Sequence, residues 1–129
     1  MTPLQAAALW LGLNPLFLIF ISWRVGRVRI RHKINLGDGG NDEMLKASRA
    51  QGNYIEYAPA ALLGLVVLAQ LGLGALFIHI LGGLFFLARI SHLMGLGMGV
   101  WLAGRFVGTA GTMLTLLTTA LLLFWKAFS

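Results

Sequence analysis

The sequence predicts an all-α membrane protein, a bundle of four transmembrane helices. Two observations predict it. Of the 129 residues, 58% are apolar and 11% charged, with a mean hydropathy of +0.82. A soluble domain carries about 45–50% apolar and about 25% charged residues. The charges are also confined. Arg24, Arg27, Arg29, Arg31, Lys33, Lys46 and Arg49 are seven of the ten basic residues, and all four acids (Asp38, Asp42, Glu43 and Glu56) lie between 38 and 56. Arg89, Arg105 and Lys126 are the only charges elsewhere. A span needs roughly 20 residues, so the apolar remainder of a single domain this long holds about four.

The first span covers about residues 4–30. Its stretch 4–23 is apolar except for Gln5, Asn14 and Ser22. Trp10 and Trp23 lie towards its two ends, where amphipathic rings suit the interface. Pro15 would break a soluble helix but is tolerated inside a bundle. A cleaved signal peptide is disfavoured, because no positive charge precedes the apolar run and the run is too long.

Gly37-Asp38-Gly39-Gly40-Asn41-Asp42 reads as a turn, with Asn41 or Asp42 as the cap of the next helix. Asp42 and Glu43 then suit the positive end of that helix. The second helix covers about 42–70, polar at first and wholly apolar from Ala60 to Ala69. Residues 71–75 form an uncharged turn. The third and fourth spans cover about 75–97 and 103–127, joined through Gly95, Gly97, Gly99 and Gly104. Gly95-x-x-x-Gly99 and Gly104-x-x-x-Gly108 have the spacing that lets helices approach closely.

Charge sets the topology. The 24–49 segment and the joint beside Arg105 share one side, and Lys126 lies on the other. The positive-inside rule places the basic side in the cytoplasm, with both termini outside. On a soluble protein the net charge of +6 would suggest nucleic acid, but no nucleic-acid motif is present. Arg24, Arg31 and Lys33 read as a topology signal that also attracts anionic membrane lipid. With no cysteine, disulfides, thiolate metal sites and a cysteine nucleophile are excluded. The histidines have no metal-ligand spacing, so no metal site is expected. His32 reads as a solvated loop residue, and His79 as interfacial or structural.

Topology does not require Arg49, Asn53, Glu56, Arg89, His92 or Arg105. An ionisable group within a span costs about 2.5–3.5 kcal/mol on insertion scales, so it normally pairs or lines a cavity. Arg49, Asn53 and Glu56 fall at i, i+4 and i+7 on one helix face, kept open by Gly52. They could form a self-satisfied ladder, or present a cation, an amide and a carboxylate to a ligand. Arg89 and His92 share a face at i and i+3, and His92 could equally be a polar residue bonded between helices. Arg105 opens the fourth helix, where it either snorkels to the interface or holds a cation at the bundle mouth.

The segment Arg49-Ala50-Gln51-Gly52-Asn53-Tyr54-Ile55-Glu56-Tyr57-Ala58-Pro59 resembles the signature of the MAPEG family, the membrane-associated proteins in eicosanoid and glutathione metabolism. Gly37-Asp38-Gly39-Gly40 is similar to the corresponding loop of the bacterial branch. Arg89, His92 and Arg105 resemble the spacing of the prostaglandin E synthase members. The resemblance covers nearly the whole chain. It implies a homotrimer of four-helix protomers with glutathione, the co-substrate, held between neighbouring subunits near the cytoplasmic face. It also implies that Arg29, Arg49, Gln51, Asn53, Glu56 and Tyr57 contact glutathione, with Arg89 and His92 joining the site, and that Arg105 stabilises the thiolate. The sequence departs from some members in two places. Leu93 to Gly99 carries no tyrosine, and Phe106 rather than serine follows Arg105.

Glutathione has two carboxylates, an ammonium and a thiol. Arginine matches a carboxylate with a two-pronged fork, and a cation beside a thiol favours the nucleophilic thiolate. The expected function is therefore a glutathione transferase-like or peroxidase-like activity, with glutathione or a related thiol attacking lipophilic small molecules. One alternative is a non-catalytic lipid- or ligand-binding protein of the same fold. Another is a small proton-coupled transporter using Glu56, against which stands the position of Glu56 in a polar row near the membrane surface.

Overall fold

The computed structural model describes Met1–Ser129 and is helical throughout. Helix α1 runs Pro3–His32, α2 Asp42–Gln70, α3 Ala75–His92 and α4 Ala103–Phe128. A π-helical turn, Leu93–Gly97, prolongs α3. Each of the four is long and apolar enough to cross a membrane.

Local chemistry explains the helix ends. Thr2 and Gln5 form a reciprocal capping box at the start of α1, with Pro3 in the first turn, where its missing N–H costs nothing. Asn41 caps α2 by accepting from the Met44 N–H at 2.9 Å. Lys33 ends α1 in the left-handed conformation with φ 55°. The polar loop that follows is drawn in by Glu43, which accepts from Arg31 at 2.7 Å and lies 2.6 Å from His32. His32 is thus the last residue of α1, tied to the start of α2, rather than a free loop residue.

Packing between the spans relies on small residues. Without water, apolar surface alone does not drive helices together in lipid, so close van der Waals approach must. Gly82 and Gly83 on α3 receive the indole of Trp10, whose Nε1 donates to His79 Nδ1 at 3.2 Å. Trp10 therefore turns into the bundle instead of resting at the interface, and His79 is its structural partner. Trp23, 54% exposed, does face outward. Gly95 abuts the backbone of Gly104 and Arg105, and Gly108 abuts Ala88 and His92. Gly99 has open space around it and serves the joint through its φ of 67°. Between α1 and α2, Val25 and Val28 pack on Met44 and Ala47, and a polar contact adds to this: the Tyr54 hydroxyl donates to Asn14 Oδ1 at 2.8 Å, while Asn14 Nδ2 donates to the Trp10 carbonyl.

The outside of the bundle is apolar. Leu16, Ile19, Leu63, Leu76, Leu84, Leu114, Leu117 and Phe124 are all exposed, as suits a surface facing lipid or neighbouring protein. The basic residues from Arg24 to Arg49, the π-turn and Arg105 share one end of the bundle, where Arg24 Nη2 donates to the Gly97 carbonyl at 3.2 Å.

Gly108→Ala sets a methyl group 2.5 Å from the Ala88 carbonyl and the His92 N–H, and neither backbone group can easily move. Overpacking of this kind costs about 1–3 kcal/mol. The thermal midpoint in detergent should fall for Gly108→Ala. It should hold or rise for Gly12→Ala, where nothing lies within 4 Å.

Candidate functional site

The site is built on α2 and α4. Arg49 and Asn53 are one turn apart on α2, and Lys46 precedes them on the same face. Arg105 and Thr109 are one turn apart at the start of α4. The two rows face each other across a cleft of about 570 Å³ that also reaches His92 and Leu96. A second cavity, about 420 Å³, adjoins it at the basic end and shares Lys46, Leu96 and Arg105. The π-turn makes this arrangement possible. Its wider winding and its glycines lay Gly95 on the backbone of Gly104 and Arg105, so α4 starts close against α3. Single π-turns of this kind often lie at functional sites.

Arg89 lies at the floor of the cleft, about two turns inside the basic end, and is 2% exposed. Its Nη1 donates to Thr112 Oγ1 at 3.0 Å and its Nη2 to Asn53 Oδ1 at 2.6 Å. The Tyr57 ring lies 5.9 Å from its guanidinium carbon. No carboxylate lies within ion-pair distance of it. The buried charge is thus carried by neutral oxygens and a ring face. This fixes the Asn53 amide: with its oxygen occupied by Arg89, its NH2 is the group left to serve the cleft.

The other cations of the site are less constrained. Arg49 has one acidic neighbour, Glu56, at 3.9 Å with both side chains largely exposed. Such a contact is worth little on its own. Arg105 is exposed and has no ion pair. Lys46 is already neutralised by Asp42 at 2.6 Å. The cleft therefore offers two guanidiniums with unused donors, one oriented amide and the buried ring of His92.

The expected residues divide into three groups. Arg49, Asn53, His92 and Arg105 line one cleft, with Arg89 directly beneath. Glu56 and Tyr57 continue the α2 face beyond it, Glu56 exposed and Tyr57 half-buried. Gln51 and Arg29 point elsewhere within the protomer: Gln51 Nε2 donates to Ser22 Oγ at 2.8 Å, and Arg29 Nη1 donates to the Gly37 carbonyl at 2.8 Å. Lys46, Thr109 and Thr112 were not singled out from the sequence. Helical spacing carries the missing signal, since Lys46 is three residues before Arg49, and Thr109 and Thr112 follow Arg105 at i+4 and i+7.

Removing one partner of a buried polar contact leaves the other unsatisfied, at about 1–3 kcal/mol. Thr112→Val should therefore lower the thermal midpoint in detergent, whereas Thr118→Val, whose hydroxyl is on the exposed side, should leave it nearly unchanged.

Residues 7–125 match the MAPEG family. The chain is also 32% identical over 91 residues to the inner membrane protein YecN of Escherichia coli strain K12, covering 70% of each chain. The YecN protein of E. coli O6:H1 matches to the same extent.

Proposed function

The chain belongs to the MAPEG family, and from that premise we propose that it is a glutathione-dependent transferase or peroxidase that activates the thiol for attack on lipophilic electrophiles. It is a multi-pass inner-membrane protein. The observation that carries the proposal is the pair Arg49 and Arg105, two guanidiniums with free donors across one cleft of about 570 Å³. That volume falls within the ordinary range of small-molecule sites, about 300–1,000 Å³.

In this reading Arg49 takes a glutathione carboxylate with its fork, and Glu56 accepts from the ammonium. The Asn53 NH2, oriented by Arg89, donates to a peptide carbonyl. Arg105 stands beside the sulfur and favours the thiolate. The thiol proton leaves to water at the open basic end, and the thiolate sulfur bonds to the electrophilic carbon as its leaving group departs with the bonding pair. On a hydroperoxide the O–O bond breaks instead, the alcohol leaves after taking a proton from water, and a second glutathione displaces water from the oxidised sulfur to give the disulfide. Excluding water from the inner part of the cleft strengthens the cation–thiolate attraction. By the positive-inside rule the basic end is cytoplasmic. Glu56 and Tyr57 lie beyond the cleft of a single protomer, which supports a homotrimer in which a neighbour closes the site and supplies Arg29.

One observation favours a second reading, a non-catalytic ligand-binding protein. The stretch from Leu93 to Gly99 carries no hydroxyl, and Thr109 Oγ1 donates to the Arg105 carbonyl rather than to the cleft. Ligand binding would then occur without thiol activation.

Absorbance near 240 nm on adding glutathione to detergent-purified protein separates the two. The proposal expects a thiolate signal that disappears in Arg105→Ala, with conjugation slowed on the order of 10²-fold, as for loss of one preorganised electrostatic donor. Binding without that signal leaves the second reading. No binding at millimolar glutathione contradicts the glutathione proposal.

A further inference from the structure

We infer that the outer face of α1 carries a built site for the phosphate of an anionic membrane lipid, formed by Arg24 and Arg27 against Trp23. The site lies at the basic end of α1, where Arg24 also borders the cavity of about 420 Å³, and the inference does not depend on the glutathione reading.

In the last turns of α1, Arg24, Arg27 and Arg31 fall at i, i+3 and i+7 and stack on one side of the helix. With Trp23, Val28 and Glu43 they line a cavity of about 120 Å³, the scale of a phosphate group. Three guanidiniums share one carboxylate there, and it is already taken. Glu43 is held by Arg31 at 2.7 Å and His32 at 2.6 Å. Arg24 uses one donor on the Gly97 carbonyl at 3.2 Å, which fixes its head and leaves its other donors free. Arg27 lies over the Trp23 ring at 4.9 Å, held in place without an anion. Two positioned cations therefore face a small concavity whose one carboxylate, Glu43, is bonded to Arg31 and His32, and a phosphodiester balances the remaining positive charge.

The surroundings identify the phosphate as that of a lipid. Leu16, Phe20, Trp23 and Arg27 form one stripe at i, i+4, i+7 and i+11 of α1. The first three are exposed apolar side chains, and Phe20 and Trp23 stack with centroids 6.1 Å apart. Aromatic rings of this kind lie at headgroup level. The stripe leads from acyl-chain depth to the cations, a path that a lipid uses and a free anion does not. Because the site has no free carboxylate for an ammonium, it favours phosphatidylglycerol over phosphatidylethanolamine.

The test is native mass spectrometry of the detergent-solubilised full chain offered equal amounts of the two lipids. The expected result is retention of phosphatidylglycerol over phosphatidylethanolamine by roughly tenfold, the scale of an added basic residue or two near an anionic surface. That preference should vanish in Arg24→Gln/Arg27→Gln. It should persist in Lys33→Gln/Lys126→Gln, which removes the same net charge elsewhere. Arg27→Gln alone, which breaks no hydrogen bond of the fold, should keep the wild-type thermal midpoint and lose most of the preference. Equal retention of the two lipids overturns the inference, as does a preference that survives the first double substitution. Displacement of phosphatidylglycerol by millimolar inorganic phosphate also overturns it and assigns the site to a soluble anion.

Discussion

The organisation of this bundle depends on how it accommodates Arg89. A guanidinium keeps its charge at any physiological pH, and within the spans it cannot be left to hydrocarbon. The fold gives it partners from the helices on either side, Asn53 from α2 and Thr112 from α4, with the Tyr57 ring alongside. That arrangement ties α2, α3 and α4 together at one level. It also brings an unneutralised positive charge beneath a cleft already lined by Arg49 and Arg105. The same contact that satisfies Arg89 consumes the acceptor of Asn53, so the cleft presents donors and cations. Structural necessity and the surplus of positive charge at the cleft therefore have a common origin.

Close packing around that network comes from glycine. Gly95, Gly104 and Gly108 let α4 and the π-turn approach almost backbone to backbone, and Gly82 makes room for Trp10. Many large apolar side chains also lie on the outside, because lipid accepts them without cost, while Phe85, Leu65, Leu68 and Ile78 fill the interior, and association comes from contact and hydrogen bonds. The polar Asn14–Tyr54 bond between α1 and α2 follows the same logic. A polar pair in hydrocarbon is most favourable when it is shared between helices.

The four spans were legible in the sequence because charge exclusion and span length are strong one-dimensional signals. The cap of α2 was legible for a similar reason: the sequence offered Asn41 or Asp42 after the glycine-rich turn, and Asn41 takes the role. The row of Arg49, Asn53 and Glu56 could be read from helical spacing, and the cleft contains the first two. What spacing could not show was which residues on other helices they meet. Nothing local pairs Asn53 with Arg89, or Arg89 with Thr112, since those contacts span 36 and 23 residues. The inward turn of Trp10 was hidden in the same way. A tryptophan near a span end suits the interface, and only the facing Gly82 and His79 draw it inside. The π-turn was also unreadable as such: the sequence placed 93–97 at the end of the third span, and nothing local in Leu-Met-Gly-Leu-Gly marks a wider winding.

We propose that the cleft between α2 and α4 binds glutathione through the paired guanidiniums of Arg49 and Arg105. Equilibrium binding of radiolabelled glutathione to the chain in nanodiscs, followed across ionic strength, tests it most directly. Binding should saturate, weaken as salt rises, and be lost when Arg49 and Arg105 are both replaced by glutamine. Saturable binding that ignores salt and survives that double substitution would contradict it.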